Sequence, residues 1–187
     1  MGGRRWAGVV VVVCALGMAG CTGDSHDAVP TLTTASSTTV GPTEPTTPAG
    51  PVEPTVPAEA QGGSATAAKA FVGYYIELLN YAMVTGDTEA FRAEALHCEG
   101  CESYAALFED VSDAGGSAQT KGWSIENAFA VPEGDRTTVA VNVHAAPVTS
   151  VSEEGADPEV IPADDYSVRL VLERRSKAWA VREFTSS

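Results

Sequence analysis

Two of the four cysteines, Cys98 and Cys101, are the clearest candidates for chemistry in this 187-residue sequence. A Cys-x-x-Cys pair can form a structural disulfide, exchange disulfides with another protein, or bind zinc. A structural zinc site needs four ligands. His97, Cys98 and Cys101 would supply three, and the sequence offers no second Cys-x-x-Cys pair and no obvious fourth ligand. A redox pair normally opens a helix after a strand, whereas a predicted helix precedes this one. A structural disulfide is therefore favoured if the compartment is oxidising.

The N-terminal segment carries another cysteine motif and has the layout of a secretory signal. Two arginines precede an apolar stretch at 6–19, whose 14 residues fall short of the roughly 20 that a membrane-spanning helix needs. The Met-Ala-Gly-Cys at 18–21 resembles the bacterial lipobox, in which the cysteine receives a lipid and becomes the first residue after cleavage. We therefore predict a signal peptide over 1–20 and a lipid on Cys21. An ordinary signal peptide with an incidental cysteine is the alternative, and both the general and the twin-arginine export routes stay open.

The lipid anchor decides between the interpretations of the Cys-x-x-Cys pair. Cys14 leaves with the signal peptide and Cys21 carries the lipid, so Cys98 and Cys101 are the cysteines left in an oxidising compartment. We predict a disulfide between them at the junction of two helices, where Gly100 lets the loop bend. Because the loop is so short, the loss of entropy in the unfolded chain stabilises the folded state by only about 2 kcal/mol. The bond is therefore a local staple between two helices.

Charge and composition exclude several classes of partner. The formal charge of −14 argues against nucleic acid, whose binders present a basic face, and against broad electrostatic binding to anionic lipid. The acidic residues are scattered, and the sequence holds no Gly-rich phosphate loop, no paired-carboxylate motif and no recognisable Ser/His/Asp set. We expect neither a metal nor a cofactor, we assign no catalytic residue, and an enzyme is the less favoured class.

Residues 21–63 differ in composition from the rest of the chain. From residue 22 onward they contain seven prolines and ten threonines, with few large apolar side chains. Such a segment cannot bury enough apolar surface to fold, so we predict a disordered tether between the lipid and a domain at 64–187. Its mixture of Ser, Thr and Pro is also typical of O-glycosylated stalks, and glycosylation stays open.

The domain begins with helical spacing and continues with strand-like alternation. Apolar residues three and four apart predict a long helix over 65–85 and two shorter helices, one at 88–95 and one ending before Gly115. The link at 147–165 is rich in acids and prolines and is predicted to be an exposed loop. Helices followed by antiparallel strands predict an α+β fold, with three N-terminal helices packed on a four-stranded sheet. Alternation of period two places the four strands near 123–129, 139–143, 166–172 and 178–184.

A combination of short motifs characterises the helical half of the domain. It comprises Phe71, Tyr74, Leu-Asn-Tyr-Ala at 79–82, Thr-Gly-Asp at 85–87, and the Cys-x-x-Cys pair. This combination resembles a family of uncharacterised actinobacterial lipoproteins known only as a domain of unknown function, which implies no activity. The order and lengths of the elements also resemble the cone-shaped fold of nuclear transport factor 2 (NTF2) and its ketosteroid isomerase relatives. A fold of this kind implies a pocket on the inner face of the sheet but does not imply a function.

Four aromatic residues are the candidates to line such a pocket. Tyr74, Tyr75, Trp123 and Phe129 would surround the ligand if the domain carries a small apolar molecule. An isomerase or dehydratase would also need a carboxyl or histidine in the pocket, and the acids of the predicted strands fall on outer faces. Tyrosines packed in a filled core are the other interpretation.

We therefore expect a lipoprotein held on the extracytoplasmic face of the cell membrane through the lipid on Cys21. Its domain is expected to act as a binding or protein-interaction module at the cell envelope. The partner is then an envelope protein or a small apolar ligand. A small-ligand carrier or an enzyme of the isomerase or dehydratase type is the alternative.

Overall fold

The structure, a computed structural model, describes residues 50–176 and 178–187. The predicted signal peptide, Cys21 and most of the predicted tether lie outside the described residues. The helices are α1 (Ala65–Thr85), α2 (Glu89–Ala93) and α3 (Glu99–Asp113), preceded by a 3-10 turn at Ala58–Ala60. The strands are β1 (Ser117–Gln119), β2 (Trp123–Glu133), β3 (Arg136–Ala145), β4 (Val148–Val151), β5 (Glu159–Ile161), β6 (Asp164–Arg175) and β7 (Ala178–Ser186). Among the described helices, none is long and apolar enough to cross a membrane.

The strands form two antiparallel sheets instead of the single sheet that was expected. The larger has the order β2-β3-β6-β7, which confirms the predicted four-stranded sheet, and the three predicted helices are also present. The smaller has the order β1-β4-β5, so part of the link predicted as a loop at 147–165 is strand. Strands of three or four residues are too short to show an alternating pattern, which is why the sequence did not reveal them.

α1 is the helix around which the domain packs. It begins where the Ser64 hydroxyl accepts a hydrogen bond from the Ala67 N–H (3.0 Å) and ends at Gly86, whose φ of 73° is left-handed. Its buried face packs against the inner face of the larger sheet, where each fully buried side chain contributes roughly 1.5–3 kcal/mol. The core combines Phe71, Tyr75, Leu78 and Leu79 of α1 with Val139, Val141, Leu170 and Leu172 of the sheet.

The side chain of Asn80 joins the second half of α1 to the start of β2. Its Nδ2 donates to the carbonyl of Trp123 (2.9 Å), and its Oδ1 accepts from the N–H of Trp123 (2.7 Å). Gly122 is needed beside this contact, because a Cβ there would lie 2.4 Å from Asn80 Cγ and its φ is +78°. The amide therefore holds helix and sheet in one register.

A β-bulge in β2 changes which residues face the core. Ile125 pairs with Val143, but Asn127 pairs with Asn142, so one residue is inserted and the alternation reverses. As a result Phe129 points away from the core and is 70% exposed. This corrects the expectation that Phe129 lines the pocket, because that expectation continued the alternation unbroken from Trp123.

The residues just before α1 belong to the packed part of the domain. Residues 51–61, here called the strap, run along α1, and Ala60 is 2% exposed within the core. The packed region thus begins earlier than the predicted boundary at residue 64. Proline-rich composition led to the prediction of disorder, whereas a short segment needs only a few contacts with an existing helix to be held in place.

Candidate functional site

A small pocket lies between the strap, the first half of α1, the segment after α2, and β7. It has a volume of about 230 Å³ and mostly apolar walls. Larger grooves, of about 560 and 590 Å³, lie beside the strap and beside Arg182, but both are open at the surface. The small pocket is less open than these two grooves, and its wall contains a half-buried carboxyl group. It is lined by Val56, Ala60, Gln61, Phe71, Glu94, Ala178 and Trp179.

The backbone of Glu94 is fixed by pairing with the edge strand β7. Glu94 caps the C-terminus of α2, and its carbonyl accepts a hydrogen bond from the N–H of Val181 (2.8 Å). The N–H of Leu96 in turn donates to the carbonyl of Val181 (2.8 Å). These two bonds cover part of the sheet edge and direct the segment between α2 and α3 past the pocket.

The carboxyl group of Glu94 is the only charged group lining the pocket among the described residues. It accepts one long hydrogen bond, from the Tyr74 hydroxyl to Oε1 (3.4 Å), and forms no ion pair within the described chain. Burial raises the pKa of Glu94, and the bond from Tyr74 opposes this rise. Burial and the nearby Glu94 raise the pKa of Tyr74 to about 12, so its hydroxyl stays a donor.

Two buried polar atoms beside this carboxyl have no hydrogen-bond partner in the described part of the chain. They are Nε1 of Trp179, a residue only 3% exposed, and the hydroxyl oxygen of Tyr75, which is fully buried. The ring of Tyr75 stacks on Phe91 at a centroid distance of 4.6 Å. Burial, and secondarily Glu94, raise the pKa of Tyr75, so its hydroxyl keeps its proton. The indole of Trp179 is a donor without a charge, so both unpartnered groups are neutral. Such groups are rare in native proteins, and each calls for a physical explanation.

The four aromatic residues proposed from the sequence do not surround one cavity. Tyr74 reaches the pocket through its bond to Glu94, and Tyr75 lies buried next to it. Trp123 instead stacks on Tyr166, with ring centroids 5.5 Å apart, at the Asn80 end of the domain. Aromatic side chains therefore fill the interior that a wide, open cone would leave for a ligand.

The residues that sequence analysis missed are Glu94 and Trp179. Glu94 follows a five-residue helix, and a glutamate in such a connection is normally exposed. Trp179 belongs to a strand that was predicted, but its indole N–H becomes unusual only when its surroundings are known. No periodicity or spacing would have singled out either residue.

The cysteine pair is a buried staple at the start of α3. Cys98 and Cys101 are bonded to each other, with an S–S distance of 2.04 Å. Cys98 is also the N-cap residue, and its Sγ accepts a hydrogen bond from the N–H of Cys101 (3.2 Å). The residues are 5% and 1% exposed, which leaves little surface for exchange with a second thiol.

Other candidate groups lie away from the pocket. His144 Nδ1 is 2.7 Å from Asp165 Oδ1, and both side chains are solvent-exposed. In the ranges 50–176 and 178–187, no group of three or more His, Cys, Asp or Glu side chains is arranged to hold a metal ion.

The motifs that carried the family resemblance stabilise the fold at separate points. Asn80 holds β2, Gly86 ends α1, and Asp87 accepts a hydrogen bond from the Glu89 N–H (3.1 Å) before α2. The sequence profile of one protein family matches residues 41–185, a span that includes all of these points and the strap. The chain belongs to DUF6318, a family of unknown function. No curated protein matches this member of DUF6318 in sequence.

Solved structures extend the comparison of this DUF6318 protein to its fold. The intermembrane space region of the chloroplast protein ARC6 is similar over 67% of this chain and 97% of that one, with 12% identity and a TM-score of 0.51. A putative dehydratase of the NTF2-like family from Streptomyces avermitilis covers 65% of this chain and 92% of its own, with 16% identity and a TM-score of 0.41. An NTF2-like protein with a cystatin-like fold from Novosphingobium aromaticivorans covers 64% and 77%, with 15% identity and a TM-score of 0.39. The neighbours thus include NTF2-like proteins, as the order of elements predicted, and at these identities the likeness concerns the fold alone.

Proposed function

We propose that this protein is a lipid-anchored extracytoplasmic binding protein whose domain takes up a small ligand in the pocket at Glu94. The observation that carries the proposal is the carboxyl group of Glu94, which is half-buried in the pocket wall and has one long hydrogen bond, from Tyr74, among the described residues. A carboxylate that is withdrawn from water without sufficient donors costs free energy. A ligand group that donates a hydrogen bond to this carboxylate would recover part of that energy.

The shape of the pocket supports a small molecule as the ligand. Its walls are mostly apolar and its polar groups few, which is the usual composition of ligand sites. Its volume of about 230 Å³ is below the range typical of drug-sized ligands, so the molecule must be compact.

Two alternative functions each retain one supporting observation. A protein-interaction module is supported by the exposed Phe129 and Val131 on the outer face of β2. An isomerase or dehydratase is supported by the half-buried carboxyl of Glu94 and its bond from Tyr74, since a carboxylate next to a phenol can move a proton. We favour ligand binding because it also explains why the carboxyl group of Glu94 lies in a mostly apolar pocket without an ion pair in the described chain.

Membrane anchoring rests on the sequence motif at 18–21, which ends in Cys21. The test is to fractionate cells that express the full chain or its Cys21→Ala variant. The full chain should be found in the membrane fraction with the added mass of a lipid, whereas the variant should lack that mass. A mass difference no larger than that between cysteine and alanine would exclude lipidation at Cys21.

Ligand binding is tested by mass spectrometry of the full chain, purified without denaturation from the cells that naturally make it. We expect an additional small mass under gentle conditions that disappears on denaturation. The Glu94→Ala variant, which removes the carboxyl group from the pocket wall, should retain less of it. A bare protein in both states would favour the protein-interaction alternative.

A further inference from the structure

We infer that the pocket at Glu94 selects a compact organic cation, in which an ammonium group is carried on an apolar body. This inference rests on the proposed ligand-binding function and specifies the class of ligand. It follows from the charge of the pocket, the nature of its walls and its size.

The charge of the pocket favours a cation. Glu94 brings a carboxylate into a partly buried position, and no Lys, Arg or His is found among the described lining residues. The Tyr74 hydroxyl, at 3.4 Å, is its only hydrogen-bond donor in the described chain. A carboxylate removed from water without a cation is costly, and an ammonium group in the pocket would offset that cost.

The walls of the pocket suit the body of such a molecule. Phe71 and Trp179 contribute aromatic carbon, and the other lining residues are mainly small or aliphatic. The guanidinium of Arg174 already lies over the Trp179 ring, 5.6 Å from its centroid, so the walls act on the ligand mainly through apolar contact with its body. The carboxylate of Glu94 is then the group that selects the charge of the ligand.

The size of the pocket and the charge of the whole protein narrow the class further. At about 30 Å³ for a water-sized unit, the cavity of about 230 Å³ holds roughly eight non-hydrogen atoms. The formal charge of −14 attracts cations to the surface and repels anions. Anionic ligands are therefore disfavoured both during approach and in the pocket.

Three aromatic probes of similar size test the inference by calorimetric titration of the full chain near neutral pH. They are benzylamine, which is cationic, benzyl alcohol, which is neutral, and benzoate, which is anionic. We expect benzylamine to bind at least about tenfold more tightly than benzyl alcohol, the scale of a charge pair that is partly buried. Benzoate should bind more weakly than either. Equal or tighter binding of the alcohol or of benzoate would overturn the inference.

A matched pair of variants separates the local charge from the charge of the whole protein. Glu94→Gln removes the carboxylate of the pocket, and Glu77→Gln removes the same charge from an exposed position on α1. Benzylamine should lose its advantage over benzyl alcohol in Glu94→Gln and keep it in Glu77→Gln. An equal loss in both variants would show that only the overall charge acts, which contradicts a cation site at Glu94.

The outcomes also distinguish this inference from the function on which it rests. If the alcohol binds and the amine does not, ligand binding stands and selection of a cation is wrong. If none of the three probes binds and the purified chain carries no small molecule, both proposals are wrong.

Discussion

The two halves of α1 make polar contacts of opposite kinds. In the second half, the Asn80 amide satisfies both the N–H and the carbonyl of Trp123. Beside the first half, the Tyr75 hydroxyl and the Trp179 indole have no partner among the described residues, and Glu94 has one long bond. One helix thus joins a region where polar groups are paired to a region where they are not.

This difference separates structural from functional polarity. A paired buried group such as Asn80 specifies a register and contributes to stability. Unpaired groups lower stability, so the polar groups on this side of α1 do not contribute to stability as Asn80 does.

Removal of the Asn80 side chain should destabilise the domain most. Asn80→Ala leaves two backbone groups of Trp123 unpaired, and we expect the free energy of unfolding to fall by about 3 kcal/mol. Urea denaturation measures the change. Glu77→Gln, on an exposed face of the same helix, is the control and should stay within about 0.5 kcal/mol of the parent. A loss below about 1 kcal/mol in Asn80→Ala would show that this contact does not hold the register.

Removal of the disulfide should loosen the Glu94 region selectively. The double variant Cys98→Ser, Cys101→Ala keeps a capping hydroxyl and should lose about 2 kcal/mol of stability. Amide hydrogen exchange should become faster at Leu96, whose N–H is bonded to Val181 near the staple. The amide of Trp123 should be affected less, because Asn80 holds it. Equal acceleration at both amides would remove the distinction between the two regions.

Removal of the unpartnered hydroxyl should stabilise the protein. Tyr75→Phe deletes a buried polar atom that has no partner in the described chain, so we expect the free energy of unfolding to rise by about 1 kcal/mol. The control is Tyr104→Phe, which loses an exposed contact with Ser186 and should change little. Destabilisation by Tyr75→Phe in chemical denaturation would indicate that the hydroxyl is already satisfied.

Glu94 should make stability depend on pH in a predictable direction. Since burial raises the pKa of Glu94 in the folded state, its ionisation opposes folding. Its unfavourable contribution is absent below the ordinary pKa of 4.5 and develops as pH rises through the higher pKa of the folded state. Glu94→Gln should therefore gain stability relative to the parent between about pH 4 and pH 7. Urea denaturation across this range measures the gain, and a gain that does not grow with pH would contradict the assignment.

Local features of the domain were predictable from the sequence. The bounds of α1 were predicted correctly, because Ser64 and Gly86 act on the backbone within a few residues. The alternation of Val139, Val141 and Val143 predicted β3, and the structure buries all three. The class of fold and the family resemblance followed from the same short-range patterns.

Features that depend on distant parts of the chain were not predictable. The bulge after Ile125 turned Phe129 outward, and the strap was predicted as part of the tether. Both errors have one cause, since a bulge and a docked segment are stabilised by the surfaces they meet, which local composition does not describe.

The sequence by itself determined the three helices, the four long strands, their order and the pairing of Cys98 with Cys101. The tertiary structure alone decided that Glu94, Trp179 and Phe71 share one pocket, and that the hydroxyl of Tyr75 is buried without a partner. The physical reason is that periodicity and capping act between near neighbours in the chain. Burial, by contrast, depends on segments that only the fold brings together. The pKa of a carboxyl group and the presence of a partner for a buried donor depend on burial in turn.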